Sequence, residues 1–280
     1  MKIINLIEDT EGSLGCIHAH GLSFYVETLK HKLLIDLGPS RDTIQNAEIL
    51  GVDLKKADTV ILSHGHYDHS GGIIPFSQIN NTAKIYMQET ATGEYYADDG
   101  EEAEGSRFRY IGIDKDIASL KKVELIKGDY NIDNELSLFV IDHPGKIPFT
   151  NRRLKKRIGN KYIQDDFLHE HFLVIKEKEK RILISGCAHN GILNILKEFR
   201  NKYTCDPDIV VSGFHLMKKS EYSDSEIQEI KDISKELLKF KTTFFTCHCT
   251  GIPAYDIMKE IMGEKLRYVH SGDTVNVEST

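Results

Sequence analysis

The stretch Ser63-His64-Gly65-His66-Tyr67-Asp68-His69 places four side chains that bind transition metals within six consecutive positions. Thr59 to Leu62 precedes it as a short, β-branched run that predicts a buried strand. Ser70-Gly71-Gly72 follows, and its glycines allow a tight bend with close backbone approach. The stretch is therefore predicted to be a metal-binding loop at the end of a strand.

Side chains alternate in direction along an extended chain, and this indicates how the four ligands divide between two metal ions. His64 and His66 are two residues apart, so their side chains point to the same side and can chelate one ion. Asp68 and His69 lie beyond them and can hold a second ion. Imidazole and carboxylate ligands together suit Zn, Fe or Mn better than Ca or Mg, so we expect two divalent transition-metal ions, with Zn first. The competing interpretation is a loop of ordinary surface histidines.

Composition and charge limit the classes of protein that fit this chain. Its 280 residues carry a formal net charge of −7, with 40% hydrophobic and 28% charged residues, which is typical of a globular domain. The acidic balance does not favour nucleic acid as a partner, and no apolar run approaches the ~20 residues that cross a bilayer. Five scattered cysteines do not indicate a disulfide framework, and Met1 to Asp9 does not resemble a signal peptide. We expect a single cytoplasmic domain over residues 1–280, with no nucleic-acid or membrane partner and with its oligomeric state left open.

Apolar periodicity predicts an α/β fold of alternating strands and helices. The predicted strands are 2–7, 22–28, 32–36, 59–62, 83–87, 136–141, 172–175, 181–185, 208–212, 242–246 and 268–270. The predicted helices are 40–50, 73–76, 191–199, 223–238 and 254–262. Two excursions interrupt this pattern, at about 90–110, where acidic residues, glycine and tyrosine are frequent, and at 144–168.

The second excursion contains a basic segment that is predicted to be a long loop. Between Lys146 and Lys161 the chain has seven lysines and arginines and no acidic residue. The guanidinium group of arginine can donate two hydrogen bonds to one phosphate or diphosphate group. Arg152, Arg153 and Lys156 are therefore predicted to bind an anionic substrate. The alternative is a solvated loop that binds nothing.

Four segments together resemble one branch of the metallo-β-lactamase superfamily: His20–Phe24, Leu62–Gly72, Gly186–Ile192 and His248–Gly251. This branch contains synthases that join a dihydropterin-methyl diphosphate to β-ribofuranosylaminobenzene 5′-phosphate. The resemblance implies a four-layer αββα sandwich, with metals at the strand ends between two sheets.

The resemblance also implies roles for residues outside the histidine stretch. Asp36 resembles the aspartate that orients a metal-binding histidine without touching the metal, although a simple turn residue is the alternative. Cys187 stands where the superfamily usually has a bridging aspartate, and it is interpreted either as a thiolate ligand or as a buried structural thiol. The usual Pro-Gly-His is missing, since Lys146 follows Pro144-Gly145. His189 is therefore expected to be the substitute ligand.

The triplet Cys247-His248-Cys249 lies at the end of a predicted strand, where neighbouring side chains point to opposite sides. If the chain stays extended there, His248 points away from both cysteines, so the three side chains do not form one zinc site. The resemblance places a late metal ligand here, and His248 is the expected residue. His215 and His270 also end strands and are candidates for substrate or proton handling. The remaining histidines, including His169, are interpreted as ordinary polar or packing residues.

These observations favour a metal-dependent enzyme that acts on a small anionic, phosphorylated metabolite. Asp68 and His189 are the candidate catalytic residues, and either a hydrolase or a dihydropterin-type transferase fits the pattern. A non-catalytic metal or ligand sensor on the same scaffold is one alternative. A redox di-iron protein is another, for which a glutamate in place of His66 and an added flavin domain would be expected.

Overall fold

Strands and helices alternate along the chain in the order that the apolar patterning predicts. The computed structural model describes residues 1–12, 15–101 and 105–277. The strands are β1 Lys2–Ile7, β2 Ser23–Glu27, β3 Lys32–Ile35, β4 Thr59–Ile61, β5 Lys84–Gln88, β6 Tyr95–Asp98, β7 Phe108–Tyr110, β8 Val123–Ile126, β9 Tyr130–Asn131, β10 Leu136–Phe139, β11 Leu154–Ile158, β12 Lys161–Gln164, β13 Phe172–Glu177, β14 Lys180–Ile184, β15 Ile209–Ser212, β16 Thr243–Thr246, β17 Leu266–Tyr268 and β18 Thr274–Asn276. The helices are α1 Asp42–Ile49, α2 Tyr67–Ser70, α3 Ile73–Ile79, α4 Ile192–Tyr203, α5 Asp224–Leu237 and α6 Ile252–Met262.

Residue contacts divide the chain into two units. Unit 1 consists of Met1–Gly128, Asn151–Glu170 and His270–Thr280, and unit 2 of Asp129–Thr150 and His171–Val269. The assignment of all 280 residues to one domain stays a prediction. Among the described residues, no helix is both long enough and apolar enough to cross a membrane.

Unit 1 is built on a seven-stranded sheet with the order β18-β1-β2-β3-β4-β5-β8. β2 and β3 form the predicted hairpin, while β3, β4, β5 and β8 run parallel. Alternate apolar side chains of the strands pack against the apolar faces of α1 and α3, where Phe76 is fully buried. Burying each large apolar side chain contributes about 1.5–3 kcal/mol, so this layer of helices holds the sheet and the ends of its parallel strands in place.

Unit 1 also contains a four-stranded sheet with the order β12-β11-β6-β7, whose strands come from the two predicted excursions, and this corrects the predicted basic loop. Residues 90–110 supply β6 and β7, although 102–104 lie outside the described residues. The basic segment is not a long loop, because β11 and β12 form a hairpin whose pair Ile158 and Lys161 leaves only Gly159 and Asn160 in the turn. Gly159 has a φ of 58°, which suits the tight turn between two strands.

Unit 2 is built on a second seven-stranded sheet, with the order β17-β16-β15-β14-β13-β10-β9. β13 and β14 form the predicted hairpin, and β14, β15, β16 and β17 run parallel. The helices α4, α5 and α6 bury their apolar faces on one side of this sheet. Ser223 begins α5 with a capping box that involves Glu226, in agreement with the predicted start. Because the carboxyl ends of parallel strands share one edge of a sheet, the segments after β14, β15 and β16 lie side by side.

Candidate metal centre

In unit 1, β4 leads directly into the histidine stretch, as predicted. His66 is extended, with φ −112° and ψ 150°, and it begins α2. The Nε2 atom of His64 lies 3.0 Å from Nδ1 of His66, and both side chains are buried. Zn–N bonds are about 2.0–2.1 Å long, so two nitrogens at this separation can share one ion.

The short helix α2 adds the other two donors of the stretch. The Nε2 atom of His69 lies 3.6 Å from Oδ2 of Asp68, and the rings of His64 and His69 are 4.2 Å apart. Three imidazoles and one carboxylate therefore converge within unit 1. This donor chemistry fits a divalent transition metal, because oxygen and nitrogen donors of these types bind Zn, Fe and Mn.

Asp36 fixes how two of these histidines present their nitrogens. Its Oδ2 lies 2.6 Å from Nδ1 of His69, and its carboxylate accepts both the backbone N–H and the hydroxyl of Ser63, each at 2.7 Å. Since the single hydroxyl proton of Ser63 goes to Asp36, this hydroxyl accepts the Nδ1–H of His64 at 2.8 Å. His64 and His69 are thus held as Nδ1–H tautomers with Nε2 able to bind metal. The role of Asp36 as an orienting residue stays a prediction that this geometry supports.

The surroundings of His66 keep it in the neutral form that metals require. Burial and the neighbouring His169 lower its pKa from 6.5 to about 3, against the opposing effect of Asp68 and Asp165. A protonated imidazole has no lone pair for a metal. His66 therefore does not need to lose a proton before it binds an ion near neutral pH.

His169 lies beside this stretch, a position that the sequence reasoning missed. Its Nδ1 accepts the backbone N–H of Gly65 at 3.0 Å, and its Nε2 lies 3.1 Å from Oδ2 of Asp165. Its ring is 5.3 Å from that of His66 and 4.0 Å from that of Tyr95. The only signal in the sequence is the His-Glu-His run that precedes β13, and nothing local connects that run to Gly65.

Asp68 has a second histidine neighbour in unit 1. The Nε2 atom of His20 lies 3.5 Å from Oδ2 of Asp68, and Nδ1 of His20 lies 2.8 Å from Oδ2 of Asp9. The His20 side chain is 51% exposed, whereas that of Asp68 is 10% exposed. His20 therefore connects the buried carboxylate of Asp68 to solvent.

In unit 2, the predicted residues Cys187, His189, His215 and His248 follow the neighbouring strands β14, β15 and β16. Their donor atoms form two overlapping sets, and within each set all atoms lie within 4.8 Å of one another. One set is Cys187, His189 and His215, and the other is Cys187, His248 and Cys249. The chain does not stay extended after these strands, since Ala188, His215 and His248 have φ values of 53°, 49° and 48°. A non-glycine residue in this region costs about 1–3 kcal/mol, and such strain often marks functional sites.

The left-handed conformation of His248 overturns the alternation argument for Cys247-His248-Cys249. β16 ends at Thr246, and residues 248–250 form a turn of 3-10 helix. His248 and Cys249 consequently face the same group of donors instead of opposite sides. Burial raises the pKa of the Cys249 thiol, but hydrogen bonds with Cys187 and His215 and the charge of His248 outweigh it, so the pKa lies well below its usual value.

The three basic residues predicted to bind substrate have different surroundings. Arg152 is exposed, and Nε of Arg153 donates to the backbone oxygen of Asp98 at 2.7 Å. Lys156 pairs with Asp166, and its register with Tyr95 places it on the same face of the small sheet as that ring. Lys156 is therefore the member of this group that lies nearest in the sheet to Tyr95, the neighbour of His66 and His169.

Comparisons with known proteins agree with this architecture. A sequence profile of the metallo-β-lactamase superfamily matches residues 19–150. The crystal structure of Tm1679, described as a metal-dependent hydrolase of the β-lactamase superfamily, is 30% identical, has a TM-score of 0.80 and covers 100% of both chains. The 7,8-dihydropterin-6-methyl-4-(β-D-ribofuranosyl)-aminobenzene-5′-phosphate synthase of Methanocaldococcus jannaschii is 26% identical over 98% of this chain and 96% of its own. An uncharacterised protein of that organism is 29% identical over 98% of this chain and 100% of its own.

The likeness to Tm1679 extends over the whole chain and confirms the predicted metallo-β-lactamase fold. The likeness to the synthase confirms the predicted resemblance to that branch. With the profile match, these relationships place the sequence in one family. The chain belongs to the metallo-β-lactamase superfamily.

Proposed function

We propose that this protein is a metal-dependent enzyme that acts on a small anionic metabolite with a phosphate or diphosphate group. The observation that carries this proposal is the convergence of His64, His66, Asp68 and His69, all buried, in unit 1. Burying this many polar groups costs free energy unless they are paired or coordinate a metal. Asp36 and Ser63 hold two of the imidazoles in the tautomer that a metal needs, which favours a binding role over a structural one.

The proposed cofactors are two divalent transition-metal ions per chain, with Zn expected first and Fe or Mn as alternatives. His64, His66, Asp68 and His69 are the proposed ligands in unit 1, and Cys187, His189 and His248 are the proposed ligands in unit 2. When bound, such an ion supplies Lewis acidity at a phosphoryl oxygen.

The protein's own residues are proposed to move protons and to bind the substrate anion. Asp68 takes up a proton at Oδ2, and His20, 3.5 Å away, passes it towards solvent. In unit 2, His189 is the proposed second proton carrier, and the ring of His215 lies 4.1 Å from its own. Lys156 is the proposed contact to a phosphate, with Arg152 and Arg153 as weaker candidates.

Two reactions are possible with this class of substrate, hydrolysis and group transfer. In a hydrolase water would be the acceptor, and the description of Tm1679 supports this alternative. In a transferase an organic acceptor would take the place of water, and the synthase relative supports that alternative over nearly the whole chain. We further propose a cytoplasmic location and no nucleic-acid partner. All five cysteines, which lie in the described ranges, are thiols and not disulfides, and the net charge is −7.

The experiment that tests this function compares metal-free protein with protein reloaded with Zn, Fe(II) or Mn(II). Both forms are incubated with a panel of phosphoesters, and with dihydropterin-methyl diphosphate together with β-ribofuranosylaminobenzene 5′-phosphate. Turnover that appears only after reloading is the expected result. Equal turnover without metal would contradict the proposal, and ligand binding without any turnover would favour the sensor alternative.

A further inference from the structure

The ends of β14, β15 and β16 bring together two cysteines that the sequence pattern separates. Cys187 and Cys249 are 62 positions apart, both are buried, and the Cys249 thiol lies 3.6 Å from the backbone oxygen of Cys187. Their sulfur atoms lie within 4.8 Å of each other and of a ring nitrogen of His248. This set lies entirely within unit 2.

We propose that Cys249 is a metal ligand, so that the ends of these three strands form a site with two thiolates. Cys187 and Cys249 supply the sulfurs, and His248 and His215 supply the two imidazoles. His215 takes the place of His189 in this set, and His189, whose ring lies 4.1 Å from that of His215, remains the proposed proton carrier. This proposal rests on the proposed function, because it assumes that the protein binds metal. It goes further by adding a donor that strand alternation excluded and that changes which metals the site prefers.

The backbone is arranged to hold the two sulfurs in this place. The N–H of Gly213 donates to the oxygen of Gly186 at 2.8 Å, which joins the segments after β14 and β15. The N–H groups of Leu216 and Met217 donate to the oxygen of Cys249 at 2.9 and 2.8 Å, which joins the segments after β15 and β16. The three segments are thus fixed to one another, so that ligands from all of them keep a constant geometry.

Gly213 makes room for the Cys249 side chain. A Cβ atom at position 213 would lie 2.5 Å from the Cys249 sulfur, a separation that non-bonded carbon and sulfur atoms do not tolerate. The thiol therefore occupies space that any other residue would fill. The left-handed conformation of His248 and the space left by Gly213 together allow the Cys249 thiol to lie beside Cys187.

His215 provides the second line of evidence for a ligand. Its Nδ1 atom is buried and has no hydrogen-bond partner within the described part of the chain. The same imidazole makes a hydrogen bond with the Cys249 thiol. Two thiolates and two imidazoles form a donor set that zinc binds in tetrahedral sites, and soft sulfur donors disfavour Mn and Mg.

X-ray absorption at the zinc edge of the full-length, zinc-loaded protein tests this inference without any substitution. Zn–S bonds of about 2.3 Å are distinguishable from Zn–N bonds of about 2.0–2.1 Å. Two Zn–S contacts per chain are expected in the wild type. One contact, or none, would overturn the inference.

Substitutions then test which cysteine supplies the second Zn–S contact. Cys249→Ser should reduce the count to one and weaken zinc binding at one site by at least about tenfold. Cys205→Ser is the matched control, because this half-buried thiol contacts Arg181 and precedes β15, at the opposite end from the proposed site. An unchanged count in Cys249→Ser, or loss of a sulfur in Cys247→Ser instead, would overturn the assignment. Metal binding and turnover with a single Zn–S contact would contradict this inference alone, whereas a protein that binds no metal would contradict the proposed function.

Discussion

The Nδ1 atom of His169 accepts the backbone N–H of Gly65 at 3.0 Å, which ties the histidine to the residue between His64 and His66. Because Nδ1 is an acceptor, the ring proton is on Nε2, which faces the carboxylate of Asp165 at 3.1 Å. His169 therefore fixes the backbone of the metal-binding stretch without supplying a metal ligand itself.

Replacing His169 tests this positioning role. His169→Ala leaves the buried N–H of Gly65 and the carboxylate of Asp165 without this partner, so we expect a loss of about 1–3 kcal/mol in the free energy of unfolding. Metal affinity should fall by about 10–100-fold. His169→Gln, which offers an amide oxygen to Gly65, should recover part of the affinity. Titration calorimetry with Zn measures both variants, and wild-type affinity in His169→Ala would refute the role.

The low pKa of His66 predicts how the metal-free protein responds to acid. The pKa is about 3 in the folded chain and 6.5 in the reference state, so the unfolded chain binds the extra proton first. Stability is therefore fully present above about pH 6.5 and is lost as the pH falls towards 3, by up to about 1.4 kcal/mol per pH unit. Urea unfolding of His66→Gln should show a flatter dependence than the wild type. Identical slopes would contradict this prediction.

Lys156 is predicted to bind the phosphate of the substrate. Lys156→Met should raise KM for phosphorylated substrates by roughly 10–100-fold, the equivalent of about 1.5–3 kcal/mol for a charge-assisted contact, and should leave neutral substrates unchanged. Lys155→Met is the matched control, because Lys155 pairs with Tyr96 on the opposite face of β11. Neutralising Arg152 and Arg153 should have smaller effects. Equal changes for charged and neutral substrates would assign Lys156 to its ion pair with Asp166 alone.

His248 and His270 both follow strands, and substitution separates their roles. His248→Ala should lose the more weakly bound of the two ions, because its ring nitrogen lies within 4.8 Å of the sulfurs of Cys187 and Cys249. His270→Ala should keep both ions, because Nδ1 of His270 lies 2.5 Å from the hydroxyl of Thr10 in unit 1. Metal retention in the His248 variant with loss in the His270 variant would reverse this assignment.

Local sequence patterns are sufficient to predict the fold and the site wherever the conformation depends on neighbouring residues. The strand before His64, the extended backbone at His66 and the position of Asp36 beside His69 agree with the periodicity and the family resemblance. The hairpin at Gly159-Asn160 also had a local signal, because this dipeptide between two alternating runs is typical of a two-residue turn. The high density of lysine and arginine led instead to the prediction of a loop.

The remaining differences arise from contacts between distant segments. Alternation failed at Cys249, because His248 adopts a φ of 48° that no residue pattern indicates. Such a conformation is maintained by the surrounding structure and not by the propensity of histidine. His169 reaches Gly65 across 104 positions of the chain, so no periodicity could have linked them.

The metal content of His66→Ala decides whether the histidine stretch of unit 1 is a metal centre. Metal-free wild type, His66→Ala and the matched variant His143→Ala, which replaces an exposed histidine, are each reloaded with Zn, dialysed and measured by elemental analysis. Close to two ions per chain are expected in the wild type and in His143→Ala. Loss of much of the metal, together with turnover, is expected in His66→Ala. Full occupancy in His66→Ala would contradict the assignment of this histidine stretch as the metal centre.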